Sequence, residues 1–480
     1  MRIFSLMLTI LPLLVSCGSA PKSEKLPNIV LINVDDLGWK DVGFMGSTYY
    51  ETPHLDAFAR EGMVFTNAYA GAANCAPSRA CLLSGLNTPR HGVYTVSPSD
   101  RGNEKTRKLI PIKNTKHLQD SIYTLPQMLK SAGYVTGSFG KWHVGEDPNE
   151  QGIDYNIGGS GRGNPGKGGY FAPYNIDFIE NGPEGEYLTD RLTQEAISFF
   201  ENNKDTTFFA YIPFYTVHTP LMGKEELVEK YKPKTGVDGQ DNPTFGAMVS
   251  AMDENVGRIF QALEALSLSK NTLVIFTSDN GGIRDISYQN PLRAGKGSYY
   301  EGGIRVPLVI RWPGKVLEGT TNGSNVSNLD FYATLQELAN PKKKAQMLDG
   351  ISLVPQFQDT SYVERDVYFH FPIYLQAYNK KDDGGRDPLF RTRPGSVVIA
   401  GDWKLHQYFE DGGLELYNLK TDVGETTNMA EENPEIVQRL LGKLDNWRQR
   451  TGAPVPTEQN GKYDPLYEKS QIEKVLQKGK

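Results

Sequence analysis

Cysteine is almost absent: Cys17, Cys75 and Cys81 are the three in a chain of 480 residues. A disulfide framework needs more, so core packing must hold the fold together. With seven histidines in all, a multi-histidine zinc centre is poorly supported. The apolar stretch Ile3 to Val15 is too short to be a permanent membrane helix. Neither sign of charge dominates: 51 basic and 57 acidic residues leave a net charge of -6, which excludes a general nucleic-acid binder and gives no basic membrane face. Any anion the protein handles must be gripped locally. No internal repeat is visible.

What is present starts with an export signal: Arg2, the apolar stretch, then "LLVSC" with small Ser16 before Cys17. "L-V-S-C" resembles the bacterial lipobox, which implies removal of residues 1–16 and lipid attachment at Cys17. An ordinary signal peptide that contains a cysteine is the alternative. Residues 17–26 read as a tether. They lack an acidic cluster, which favours an outer-membrane anchor facing the periplasm over display at the cell surface.

The remaining length suits one large α/β domain and a smaller one. Several apolar, β-rich runs end abruptly in polar residues. "NIVLINV" runs into Asp35 and Asp36, "NTLVIFTS" into Asp279 and Asn280, "GYVTGSFG" into Lys141 and His143, and "FFAYIPFYTV" into His218. Such runs suit strands buried on both faces, and helical patterns at 124–133 and 188–203 suit the crossovers between them. In an open α/β sheet the ligand site lies beyond the carboxyl ends of the strands, so these polar residues converge. One Asp after a strand is more often a cap. A doubled carboxylate beside an Asp-Asn pair calls for a cation, and oxygen ligands suit Ca²⁺ or Mg²⁺.

"NCAPSRACLLSG" (74–85) sets Cys75 just ahead of a helix expected to start at Pro77 and stop at Gly85. That helix also argues against a bridge between Cys75 and Cys81. A helix N-terminus favours an anion. A phosphatase-type thiolate needs Cys-x5-Arg, whereas Arg79 follows after three residues; a merely buried thiol describes Cys81 better.

"C-A-P-S-R" followed by "L-L-S-G" resembles the signature of the type I sulfatases, whose cysteine is oxidised to formylglycine. "PNIVLINVDDLGW", "TPHLDAFAREGMVFTNAYA", "YVTGSFGKWHVG", "VHTPL", "FTSDNGG", "GKGSYYEGGIRVPLVIRWPG" and "GDWKLHQYF...LELYNLKTDVGETTNMA" resemble family segments in the family's order, over residues 27 to 450. The resemblance implies an alkaline-phosphatase-like α/β fold: a large mixed, mostly parallel sheet flanked by helices, then a small antiparallel sheet with a packed helix. The expected divisions are a catalytic domain at 27–360, an α+β subdomain at 361–457 and a tail at 458–480, either exposed helix or frayed.

By the same resemblance Asp35, Asp36, Asp279 and Asn280 hold one Ca²⁺ together with formylglycine made from Cys75. The hydrated aldehyde attacks sulfur and later expels sulfate. Asp279 is the base, Lys141 and Lys296 clamp the sulfuryl oxygens, Arg79 fixes the diol, His143 assists elimination, and His218 or Lys296 protonates the leaving sugar oxygen. A formylglycine-generating or anaerobic sulfatase-maturating enzyme is an implied partner. The expected substrate is a sulfated oligosaccharide from an algal polysaccharide such as ulvan or carrageenan. Other readings are a phosphonate or phosphodiester hydrolase of the same superfamily and a non-catalytic sulfated-glycan binding lipoprotein. Arg162, Lys167 and Tyr170, in the glycine-rich loop 158–175, are candidate sugar contacts, and Arg90 and His91 are candidates at the pocket border. His370 and the loop 380–395 read as solvated surface more than as substrate mouth.

Overall fold

The computed structural model describes residues 25–342, 347–379 and 383–478; the export signal and Cys17 lie outside the described residues. The apolar runs form one sheet of eight strands: β1 (Asn28–Val34), β2 (Met63–Tyr69), β3 (Val135–Phe139), β4 (Tyr155–Ile157), β5 (Phe208–Ile212), β6 (Thr272–Ser278), β7 (Leu308–Arg311) and β8 (Thr320–Ser327). Their order is β4-β3-β5-β1-β6-β7-β2-β8. Every neighbouring pair is parallel except those of β7, which runs antiparallel to both β6 and β2. This is the large, mostly parallel sheet expected.

Alternate residues of a strand face opposite ways, so continuous apolar runs feed two cores. Val30, Ile32 and Val34 pack with Phe208, Ile212 and Phe276 against Met248, Met252 and Ile259 of the helix Pro243–Ala265. Ile29 and Leu31 face the other way, with Tyr211 and Ile275, onto Leu82 and Leu83 of the helix Cys75–Ser84 and Phe331 and Leu335 of the helix Leu329–Ala339. The helix Leu188–Asn203 has the bounds expected, and the helix Leu125–Ser131 starts at a capping box of Thr124 and Gln127.

The C-terminal part holds β9 (Asp366–Phe371), a short pair β10 (Leu375–Gln376) and β11 (Phe390–Thr392), then β12 (Gly395–Ala400), β13 (Trp403–Tyr408) and β14 (Leu414–Asn418). Strands β14-β13-β12-β9 make an antiparallel sheet. Val437, Leu440 and Leu444 of the helix Pro434–Thr451 pack onto Val398, Leu405 and Leu416. The segment read as a tail is docked: in its helix Pro465–Lys478, Glu468 accepts from Arg393 Nη2 at 2.8 Å, and Ile472 and Val475 pack near Tyr374, Leu389 and Phe390. Its partners lie far away in sequence, so its own pattern looked like solvated helix. Among the described residues no helix is long and apolar enough to cross a membrane.

A buried ionic knot joins the two parts. Lys404 Nζ on β13 lies 2.9 Å from Glu301 of the large domain and 2.9 Å from Glu425, all three side chains fully buried. Removing the shared cation leaves two buried carboxylates whose remaining contacts with basic side chains are longer, Glu301 to Arg305 and Glu425 to His406, each at 3.3 Å. Lys404→Met is therefore expected to cost about 3–5 kcal/mol, read as a lower midpoint in urea unfolding; an unchanged midpoint would show that the knot does not staple the subdomain.

Candidate active site

The strand order β3-β5-β1-β6 makes neighbours of the four runs whose polar ends were singled out. Parallel pairing puts all four carboxyl ends on one edge, and the structure brings together there the residues that follow them. Strand β2 also runs parallel and delivers the chain to the helix Cys75–Ser84. This helix begins two residues earlier than expected, at Cys75 itself, with Asn74 as N-cap and left-handed Gly85 as C-cap. Pro77 is tolerated because the first-turn N–H groups lack intrahelical acceptors anyway.

Ligating atoms of Asp35, Asp36, Cys75 and Asp279 all lie within 4.8 Å of one another, and all four residues are buried. Three cations surround the carboxylates. Lys141 Nζ is 2.7 Å from Asp35 Oδ2, Lys296 Nζ is 2.6 Å from Asp36 Oδ2, and Arg79 Nε donates to Asp279 Oδ2 at 2.8 Å. Arg79 also donates to the Lys141 carbonyl, at 2.8 Å, which holds the guanidinium beneath the cluster. Asn280 Nδ2 donates to Asp36 Oδ1 at 2.8 Å, and the Asp36 N–H donates to Asp279 Oδ1 at 3.2 Å. Asp36 is left-handed (φ 61°), an accessible but unfavourable conformation that turns two successive carboxylates into one site.

The electrostatics are unbalanced. Burial pushes the Asp35 carboxyl up to about 7 against the pull of Lys141. Burial opposes the charge of Asp36 too, yet Lys296, His218 and Lys141 hold that carboxyl well below the usual range. Asp35 Oδ1 and Asn280 Oδ1 are buried without a hydrogen-bond partner. Orphaned oxygens beside crowded carboxylates are the donor set of a hard divalent cation, so the residues fit Ca²⁺ or Mg²⁺.

The histidines flank this cluster. His218 Nδ1 is 2.6 Å from the Thr219 carbonyl, which places its proton there and turns Nε2 toward Asp36 Oδ2, 3.7 Å away. Burial and Lys296 depress this imidazole to about 4. His143, left-handed at φ 69°, donates its backbone N–H to Ser160 while its Nδ1 is buried and unpaired. Burial, with Lys141 and Arg79 nearby, keeps its ring neutral.

One expected sugar contact, Tyr170, and two expected pocket-border residues, His91 and Arg90, are corrected. Tyr170 is fully buried and donates to the carbonyls of Tyr215 and His218, so it braces the His218 turn and cannot reach a sugar. His91 is buried in the short helix Thr88–His91, its Nε2 3.4 Å from Cys81 Sγ and its Nδ1 accepting from Val93 N. Arg90 is tied to Asp349 at 2.9 Å and lines a groove with Asn87, Arg365 and Arg450 that includes none of the cluster residues. Single helical turns direct side chains by contacts that spacing does not reveal. Arg162, 3.1 Å from Asp177, and Lys167 stay solvent-accessible. Their loop does approach the site, since a Cβ on Gly163 would lie 2.4 Å from His143 Cε1.

The structure also adds residues. His370 is buried between Ser396 and the Pro454 carbonyl, neither surface nor mouth. The loop read as solvated surface supplies Arg391, whose Nη1 donates to the Lys296 carbonyl at 3.2 Å, and Thr392, whose Oγ1 donates to the Gly297 carbonyl at 2.6 Å. These contacts span 95 residues of sequence, and no local pattern marks them.

A fixed positive field beside a cluster that fits a hard cation, on the carboxyl edge of a mostly parallel sheet, suits the hydrolysis of anionic esters. The family comes from comparison. Residues 27–341 match the Sulfatase family and residues 295–450 the N-sulphoglucosamine sulphohydrolase C-terminal family. A sulfatase of Formosa agariphila is 33% identical over 93% of this chain and 93% of its own length. The N-acetylgalactosamine-6-sulfatase of Mus musculus is 31% identical over 85% of this chain and 79% of its own. The crystal structure of Ps i-CgsB superposes with a TM-score of 0.74 at 28% identity, covering 94% of this chain and 98% of that one. The chain belongs to the sulfatase family, and it is a sulfuric ester hydrolase.

The cation site is open to a direct test. At a hundredfold excess over its dissociation constant, Ca²⁺ is expected to add about 2.7 kcal/mol of stability, read as a rise in melting temperature that a chelator reverses. Asn280→Leu should abolish the rise. An unshifted melt of the wild-type protein in Ca²⁺ and Mg²⁺ would remove the site.

Proposed function

We propose that the chain cleaves sulfate esters on oligosaccharides of a carrageenan-type algal galactan, using an aldehyde made by oxidation of Cys75. The observation that carries the chemistry is the setting of Cys75. Burial pushes its thiol up to about 12, so the unmodified side chain is a poor nucleophile although it sits at a helix N-terminus, its Sγ 3.7 Å from Asp36 Oδ1. An oxygen nucleophile in its place would join the oxygen ligands around it.

Asp35, Asp36, Asp279, Asn280 and that oxygen would hold Ca²⁺, which supplies positive charge for the oxygens of the sulfuryl group. Lys141 and Lys296, already held by Asp35 and Asp36, supply the rest of the positive field without reorganising. Lys296 is firmly protonated, because Asp36 raises its pKa despite burial. Arg79 holds Asp279 in position, and unpaired His143 Nδ1 is available to orient the nucleophile. His218 would pass a proton to the leaving sugar oxygen through Nε2, since Nδ1 is committed to Thr219; its ring is neutral without substrate, so it would take that proton up only once the negative sulfate lies beside it.

Support for the sugar comes from two relatives. Ps i-CgsB has been crystallised with k-i-k-neocarrahexaose, and that complex superposes with a TM-score of 0.73 at 28% identity. The mouse relative is named for N-acetylgalactosamine, also a galactose-type ring. Export as a lipoprotein, with Cys17 anchored in the outer membrane and the enzyme facing the periplasm, would suit oligosaccharides already cut from a polymer; its support is the lipobox-like sequence alone.

Protein co-produced with a formylglycine-generating enzyme is expected to release sulfate from carrageenan oligosaccharides, and Cys75→Ala to release none. Release from ulvan or glycosaminoglycan fragments instead would move the substrate to that class. Turnover of an aryl phosphonate in preference to every sulfate would replace the sulfatase reading. His218→Ala is expected to lower kcat by about 10²–10⁴ on sugar sulfates and far less on nitrophenyl sulfate, whose leaving group needs no proton. Equal losses on both would exclude His218 as the proton donor.

A further inference from the structure

Strand β11 and the residues after it carry two buried arginines with opposite surroundings. Arg393 is neutralised by three carboxylates, Asp387 at 2.6 Å, Glu410 at 2.7 Å and Glu468 at 2.8 Å. Arg391 is 4% exposed and forms no ion pair among the described residues. Its Nε is buried without a partner, its Nη1 meets only the Lys296 carbonyl, and Nη2 donates to nothing among the described residues. The ring of Tyr378, itself 49% exposed, lies 3.5 Å from the guanidinium. Burial depresses the Arg391 pKa, opposed by Tyr378, Asp383 and Asp36. The nearby Asp383 carboxylate is engaged otherwise, accepting the Tyr378 N–H at 2.8 Å.

A cation buried in this way is costly unless an anion completes it. The backbone is shaped to hold it there: Gly297 is left-handed (φ +86°), and a Cβ at that position would meet Arg391 Nε at 2.6 Å. Gly297 N in turn donates to the Ala73 carbonyl, at 2.7 Å, two residues before Cys75. Arg391 is therefore stitched to both the Lys296 loop and the segment that delivers the nucleophile. We propose that Arg391, backed by the ring of Tyr378, is a subsite for a second anionic group of the substrate, a sulfate or carboxylate on the ring that bears the scissile sulfate or on its neighbour. Arginine suits the role because its planar donors match an oxyanion while its face stacks on an aromatic ring. This inference rests on the sulfatase reading and adds a specificity determinant to it.

The test compares matured wild-type enzyme with Arg391→Gln, Arg391→Lys and Tyr378→Leu on three matched disaccharides: one sulfate, two sulfates, and one sulfate plus a uronate. For Arg391→Gln the ratio of kcat/KM on a doubly anionic to the singly sulfated substrate should fall about tenfold to a hundredfold, mostly through KM. Arg391→Lys should recover part of it. The doubly anionic substrate affected distinguishes sulfate from carboxylate as the ligand. A common fall on all three substrates, or no fall on any, would overturn the subsite. Tyr378→Leu alters a half-exposed ring, and should shift the ratio the same way even if Arg391→Gln does not fold; an unchanged ratio there with that failure would also overturn it. Wild-type enzyme inactive on all three would instead count against the sulfatase reading.

Discussion

Everything in the active site depends on charge balance in a buried space. Three carboxylates, Asp35, Asp36 and Asp279, face three cations, Lys141, Lys296 and Arg79, and all six side chains are buried. The balance is formal rather than local. Asp35 shares its region with two other carboxylates, and burial raises its pKa to about 7 although Lys141 is bonded to it. The cluster relieves that repulsion by holding a proton or by holding a metal ion. Its orphaned Asp35 and Asn280 oxygens favour the metal. The same cations that make the carboxylates bearable are those that the sulfuryl oxygens need, so stability of the site and attraction for the substrate draw on one set of side chains.

The sheet makes this crowding possible. Continuous apolar strands bury both faces and leave only their ends free, and parallel pairing gathers the ends of β3, β5, β1 and β6 in one row. The antiparallel subdomain then closes the site from the other side. Its strand β11 bonds to Lys296 and Gly297, while the Glu301–Lys404–Glu425 knot ties its sheet to Glu301 of the large domain, a few residues after Lys296. The position of Lys296 is thus decided jointly by two parts of the chain.

The convergence of the candidate cation ligands was legible in the sequence because Asp35, Asp36, Asp279 and Asn280 follow directly on strands, where chain direction alone decides location. Asp35, Asp36, Asp279, Asn280, Lys141, His143 and His218 all belong to such ends, and the helix of Cys75 was read to within two residues. The sugar contacts were far less legible. Tyr170 and His91 carry polar groups that look outward in sequence, yet both groups are satisfied inside, by main-chain carbonyls in one case and by Val93 N–H and the Cys81 thiol in the other.

By itself the sequence determined the periods, the strand ends and the chemical types, since periodicity and adjacency are properties of the chain. Tertiary structure alone decided which arginine is neutralised. Arg391 and Arg393 stand two residues apart with similar local surroundings, and the difference between a structural cation and an unpaired one comes from carboxylates at positions 387, 410 and 468. Electrostatic energy depends on distance in space, and folding sets that distance with little regard for separation along the chain.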